Sequence, residues 1–377
     1  MNLTNPLKCV FGNHSLLKNN KKGLSAPVIN WIFVMVAGAV ILLFIFKIIG
    51  SQGEITELEV SANLLEDMGS ILVGRSVSEN SFTEIDTPSD QIFLFKCEGF
   101  CNPNTGCESY VKSLAGDKQV ETKVRPIFTA EKIKFTNKIY SFVESWKVPF
   151  NVVNFVYLAY PGQKFILQDG DTTGTCNING CSGIENQIPE KIRASQIVIN
   201  DPTDSSIQRS KFVKYVYFKE GCRLFSPPEN QRSICIDDYE IYFWKKDETG
   251  TIALSDDFSD GTNSVYYLTD QEVLGAIFTD SAQTYECNMR KAQYKFSKSI
   301  ELYQYKIVRQ YSYNQYGNCA NFYRDGIGEI FNTLNDYGLD PGEDIFTKLG
   351  ELSGRDILTE TELLNRKLMR NDCSPIY

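Results

Sequence analysis

Histidine is almost missing from this chain. Among its 377 residues there is one, His14. Everything beyond it lacks the imidazole that a Ser-His-Asp triad, a Cys-His pair or a His-ligated metal needs. A hydrolase working with two carboxylates stays open, because two acids suffice for that chemistry, but no spacing singles out a pair. Acidic residues are missing from the beginning: none precedes Glu54. Charge of either sign is missing from Val28 to Phe46, where Asn30 is the one polar side chain. At the helical rise this run covers about 28 Å, the thickness of a bilayer's hydrocarbon. A soluble helix would show a charged face, so the run predicts a transmembrane helix over 24–49. Repeats of 20–50 residues and long low-complexity tracts are also absent.

The flanks orient that helix. Lys8, Lys18, Lys21 and Lys22 precede it, while only Lys47 follows before the acids begin. By the positive-inside rule, residues 1–23 are a cytoplasmic leader or tail and the remainder is extracytoplasmic, at the plasma membrane. A cleaved secretory signal fits less well, because Phe44 to Ile49 offers no small-residue cleavage site. The net charge is −9, and with the leader lysines set aside the external part is more acidic still. That balance disfavours a nucleic-acid partner. Of eleven cysteines, only Cys9 lies before the membrane run. The other ten are Cys97, Cys101, Cys107, Cys176, Cys181, Cys222, Cys235, Cys287, Cys319 and Cys373. An even set in an oxidising compartment predicts disulfides. Cys222 with Cys235 and Cys176 with Cys181 are plausible local bridges, while Cys287, Cys319 and Cys373 would staple the C-terminal helices to the rest. Buried free thiols are the alternative.

After the membrane run, Ile55, Leu58, Ala62, Leu65, Gly69 and Leu72 recur at three- and four-residue steps, predicting a stalk helix over 50–75. It packs either along other stalks or on its own globular domain. Residues 76–268 read as mainly β. Strands are expected at Gln91–Phe95, Val152–Tyr160, Lys164–Gln168, Gln196–Asn200, Phe212–Phe218 and Tyr239–Trp244, the second and third paired across Pro161-Gly162. Thr251–Leu254 and Ser264–Leu268 suggest a hairpin across Asp260-Gly261. Between the first strands, Glu131–Trp146 reads as a helix. Residues 269–377 read as mainly helical, with Asp270 capping a helix from Gln271 and others over Ser281–Tyr311, Ala320–Tyr337 and Glu343–Met369. Strands first and helices later give an α+β head with antiparallel strands.

Lys21-Lys22-Gly23, directly before Leu24-Ser25-Ala26-Pro27-Val28 and the apolar run, resembles the class III signal sequence of archaeal type IV pilins and archaellins. The resemblance covers about 30 residues and the helix continuing into a stalk. It implies cleavage between Gly23 and Leu24 by a prepilin-type aspartyl peptidase, with Lys21 and Lys22 as recognition charges. The hydrophobic helix would stay on the mature chain. Val28 departs from the pattern, since many bacterial pilins carry Glu there, as do Asn30 and Trp31. The stretch GAIFTDSAQTYECN around Cys287 and the close NRKLMRNDCSPIY are similar to surface proteins of small-genome archaea, a family that implies no activity.

Asp169, Asp171 and Thr173 form a D-x-D-x-T after a strand, as in haloacid-dehalogenase-type phosphotransferases. The absence of alternating strands and helices beyond it argues against that chemistry. The same loop partly resembles a Ca²⁺ loop, but Gly180 stands where a bidentate Glu should close it. Asp256, Asp257 and Asp260 form a second acidic loop, with Phe258 at a position that should ligate. Both read more simply as solvated turns. The C-terminal tyrosines, Tyr294 to Tyr323, read as packing against the sheet rather than as a binding platform. No catalytic or cofactor-binding residue is singled out and no cofactor is implied. The function expected is non-catalytic: a membrane-anchored, pilin-like cell-surface protein acting in adhesion, assembly or cell contact. Its partners would be the lipid bilayer, the peptidase, and copies of itself or other surface proteins. The alternative is an extracytoplasmic carboxylate-dependent hydrolase on an uncleaved signal anchor.

Overall fold

The computed structural model describes residues 31–47, 63, 65–67, 69–70, 74, 79–86, 91–102, 106–113, 119–122, 125–135, 138–148, 150–169, 179–199, 210, 212–219, 221–224, 227, 232–237, 240–246, 252–254, 264–314, 317–325 and 357–377. Two units divide the chain, Met1–Glu57 and Leu58–Tyr377. In the first unit residues 31–47 form helix α1. Among the described residues no helix is long and apolar enough to cross a membrane. Val28 to Asn30, the start of the apolar run, lie outside the described residues.

The second unit is mixed α/β, built on three sheets. Strands β1 (Ser81–Asp86), β7 (Lys138–Lys147), β8 (Asn151–Ala159) and β5 (Ile127–Phe128) lie in that order in the first. The second has the order β4 (Gln119–Glu121), β3 (Gly106–Ser113), β2 (Gln91–Asn102), β6 (Lys132–Phe135) and is antiparallel throughout. In the third, β10 (Ile197–Ile199), β9 (Gln163–Asp169), β11 (Phe212–Phe218) and β12 (Arg232–Ile236) run parallel. The antiparallel β13 (Glu240–Lys246) follows, and β14 (Ile252–Leu254) and β15 (Ser264–Tyr266) share its outer edge. The helices are α2 (Asn179–Gln187), α3 (Glu190–Gln196), α4 (Asp270–Phe278), α5 (Ala282–Asn314), α6 (Ala320–Asp325) and α7 (Ile357–Arg370).

The first sheet is the middle layer. On β7 and β8, Phe142, Trp146, Phe155 and Tyr157 face a core shared with the third sheet and the helices, and Ile139, Val143, Val156 and Leu158 face a core shared with the second sheet. Leu65, in a helical stretch near the start of the unit, is 1% exposed within this second core. A Cβ on the nearby Gly69 would sit 3.0 Å from Val120. This stretch therefore packs on its own domain, one of the two alternatives for the stalk pattern. Its remaining residues lie outside the described ones.

Five expectations are corrected. Glu131–Trp146 is not a helix: it holds β6 and most of β7. The strands around Pro161-Gly162 do not pair with each other. Gly162, at φ +103°, carries the chain from the first sheet into the third. β14 and β15 form no hairpin together, since each pairs with a different half of β13. Thr269, not Asp270, is the N-cap of α4. The strands are not all antiparallel, because β9 leads through α2 and α3 into the parallel β10.

Three disulfides are present among the described residues: Cys97–Cys287, Cys222–Cys235 and Cys319–Cys373. The first ties β2 to α5, stapling a C-terminal helix to the β part. The second covers the outer face of the third sheet, packed with Tyr217, Tyr242 and Trp244. The third holds the C-terminal segment near α6, where Asn365 Oδ1 also accepts from Ile376 N at 2.7 Å and Tyr323 donates to Ser374 O at 2.9 Å. Cys101, Cys107 and Cys181 lie on described backbone, and Cys176 lies outside the described residues.

Candidate functional site

Three features invite chemistry: the surface of α1, a buried carboxyl at the start of α4, and a buried amine on α5. On α1 all side chains from Trp31 to Phe46 are exposed except Ala37, which is partly so. Trp31 is 72% exposed and Phe33 73%. An exposed apolar surface of this extent is a candidate interaction surface.

The carboxyl belongs to Glu272, fully buried in the first turn of α4. Its Oε1 accepts from Trp146 Nε1 at 2.6 Å and Thr269 Oγ1 at 3.4 Å, and its Oε2 from Leu268 N at 3.0 Å. The Thr-x-x-Glu spacing is that of a capping box, but Thr269 makes no cap bond to the backbone, and Glu272 takes the N–H of Leu268 and the indole of Trp146 instead. Burial pushes this carboxyl up to about 7, against the three hydrogen bonds, which favour the charged form. The other end of α4 is held by Lys214, 2% exposed, which donates to Ala276 O at 2.6 Å and to Thr279 O. A cation at a helix C-terminus complements the dipole. Glu272 ties the start of α4 to the first sheet through Trp146, and Lys214 ties its end to β11 of the third.

The amine is that of Lys291. Helix α5 has two working faces along its first half. Tyr285, Met289, Ala292 and Phe296 enter the larger core, while Thr284, Cys287, Asn288 and Lys291, at helical spacing, turn toward β2, β3 and β5. There a narrow cleft with room for about one water molecule is lined by Phe95, Cys97, Thr122, Ile127, Thr284, Asn288 and Lys291, together with Lys96 and Tyr110. Lys291 is 2% exposed. Its Nζ lies 3.2 Å from Arg125 O and 3.2 Å from Asn288 Oδ1. Asn288 is fixed by Ile127 N, which donates to its Oδ1 at 3.0 Å, and by its own Nδ2, which donates to Thr284 O at 2.9 Å. Burial alone lowers the Lys291 amine to about 7.

None of these residues stood out in the sequence. A lysine on a long helix reads as solvated. The available signal was Cys287 in the neighbouring turn, whose bridge to Cys97 brings β2 over that face. The acidic loops fare differently. Asp169 ends β9, opposite Phe218 of the parallel β11, whereas Asp171, Thr173, Asp256, Asp257 and Asp260 lie outside the described residues, as do Lys21, Lys22, Gly23 and Leu24. Among the described residues no group of three or more Cys, His, Asp or Glu is placed to hold a metal. The tyrosines divide. Tyr303, Tyr311, Phe322 and Tyr323 pack on the larger core, while Tyr305 and Tyr313 are exposed. Comparisons with protein-family models, curated proteins and solved structures find no match.

Proposed function

We propose that this chain is a membrane-anchored surface protein with a non-catalytic role in adhesion, assembly or cell contact. In this reading the apolar run Val28–Phe46 lies in the bilayer, the lysine-bearing N-terminus is cytoplasmic and the disulfide-bonded unit is outside. The observation that carries it is the bare apolar surface of α1. Burying a large aliphatic or aromatic side chain is worth roughly 1.5–3 kcal/mol, so leaving Trp31, Phe33, Val34, Met35, Leu43 and Phe44 in water is costly. A bilayer or a bundle of like helices removes that cost. Disulfides fit an oxidising exterior. Two of the buried ionisable groups, Glu272 and Lys214, hold the ends of a helix, which suits a scaffold better than a hydrolase.

The finer reading is pilin-like processing. Cleavage after Gly23 would remove Lys8, Lys18, Lys21 and Lys22, leaving a helix whose beginning carries no charged side chain to anchor it in the cytoplasm. Such a helix can leave the bilayer and pack against its copies. Mass spectrometry of the native N-terminus tests this. A mature chain beginning at Leu24 is expected, and a peptide spanning Lys22 to Leu24 intact in the mature protein would leave only an uncleaved anchor.

A further inference from the structure

We propose that the outer stripe of α5 is a self-association surface, on which two copies of this chain pair antiparallel about a two-fold axis at Tyr305. The argument begins with the helix period. The inner side of the C-terminal half of α5 is committed to the larger core through Phe296, Ile300 and Ile307, with Tyr303 and Tyr311 packed against it. The outer side is bare. Lys298, Tyr305 and Ser312 recur there at seven-residue steps, with Glu301 and Leu302, then Val308 and Arg309, filling the intervals, and all are exposed. This is the spacing of a coiled-coil seam. Its apolar members, Leu302, Tyr305 and Val308, lie together at the centre with charge on either side. Such grouping marks an interaction surface, unlike apolar residues scattered singly.

The stripe is complementary to itself. Turned end for end about Tyr305, it sets Leu302 opposite the partner's Val308, Glu301 opposite the partner's Arg309, and Lys298 opposite the partner's Ser312. Tyr305 meets its own copy. Each pairing then occurs twice, as an isologous two-fold interface requires. A parallel arrangement would set Glu301 against Glu301 and Arg309 against Arg309, and like charges facing each other are penalised. Within one chain both charges are easily released. Among the described residues Arg309 is paired with no carboxylate; its guanidinium lies 5.6 Å from the ring of Tyr313 and 3.4 Å from that hydroxyl. Glu301 is 2.7 Å from Lys298, with both side chains half exposed, a kind of ion pair that contributes little in water.

The helix is already fixed by its core face and by Cys97–Cys287, so docking orders no backbone. A seam of about four turns is smaller than a standard interface of about 1,600 Å², and the dimer is weak in dilute solution. Copies held in one bilayer meet at a raised effective concentration. In that respect the proposal rests on the anchored, assembling role proposed above, though not on cleavage after Gly23.

The experiment uses the full chain reconstituted in lipid vesicles. Tyr305→Cys, mildly oxidised, is expected to give a dimer bridged at position 305 in both copies, located by peptide mass spectrometry. Lys132→Cys, exposed on β6, should give no more dimer than wild type. Energy transfer between labelled copies then follows association. Arg309→Glu or Glu301→Arg alone sets like charges opposite each other at both ends of the seam and should weaken association by about tenfold. The two changes together should restore it, which also shows that the single variants fold. Tyr305→Cys that yields no more dimer than Lys132→Cys, or association that the single charge changes leave unaltered, would overturn the proposal. So would a fluorophore at position 305 that brominated lipid quenches without dimer, which gives the stripe to the membrane. Association that persists in those cases assigns assembly to another surface and leaves the broader reading standing, whereas a chain that stays monomeric in the vesicles removes assembly altogether.

Discussion

Glu272 and Lys291 are both buried, and burial moves them in opposite senses toward neutrality. Their effects on stability have opposite signs. The carboxyl is raised in the folded state, so the unfolded chain gives up its proton first. The contribution is fully present below about pH 4.5 and is lost as pH rises to about 7. The amine is lowered, so the unfolded chain keeps its proton up to about 10.5. Stability from this group is absent below about 7 and grows between there and about 10.5. Urea titrations at pH 5 and pH 7 should therefore differ by about 2–3 kcal/mol through Glu272, with Glu272→Gln flattening that interval. An unchanged slope in the variant would assign the pH dependence to other groups. At Gly275 the issue is space. A Cβ there would lie 2.7 Å from the ring of Phe128, which is itself held 4.9 Å from Phe155. Gly275→Ala should cost about 1–3 kcal/mol through overpacking, despite alanine's better helix propensity. Thermal unfolding of the variant checks this, and a raised Tm would show that Phe128 gives way freely.

At the scale of elements, several strands were legible and their partners were not. Phe212–Phe218 is bounded as the sequence suggested, because a short run of β-branched and aromatic residues has few other uses. Glu131–Trp146 misled for a physical reason. The first sheet is buried on both faces, so β7 needs apolar residues on both sides. Ile139, Phe142, Val143 and Trp146 then fall at three- and four-residue steps that imitate a helix. Pro161-Gly162 has the chemistry of a turn, but whether a turn joins neighbours in one sheet or passes between sheets is decided by packing. Cysteine pairing divides in the same way. Cys222–Cys235, with a separation of 13, could be inferred from proximity, whereas Cys97–Cys287, with a separation of 190, could not. Chain-entropy reasoning makes the longer bridge the more stabilising by about 2 kcal/mol. Replacing both Cys97 and Cys287 by Ser should lower stability more than the same change at Cys222 and Cys235. Guanidinium unfolding of the two double variants measures the difference, and equal losses would point to packing rather than loop closure.

For the whole molecule, the proposed anchor and its proposed processing site rest on residue patterns, and the buried amine was not legible there. Apolar length and lysine asymmetry are properties of sequence alone. The environment of Lys291 exists only once β2, β3 and β5 are laid against α5. The central claim is that an apolar N-terminal helix holds a disulfide-bonded unit outside the cell. Protease added to intact cells tests it most directly, with peptides from either side of α1 followed by mass spectrometry. The account predicts that peptides from the unit beyond Leu58 are released or shortened, while those before Trp31 stay intact until the cells are lysed. A unit beyond Leu58 that stays protected in intact cells and is cut only after lysis would contradict it.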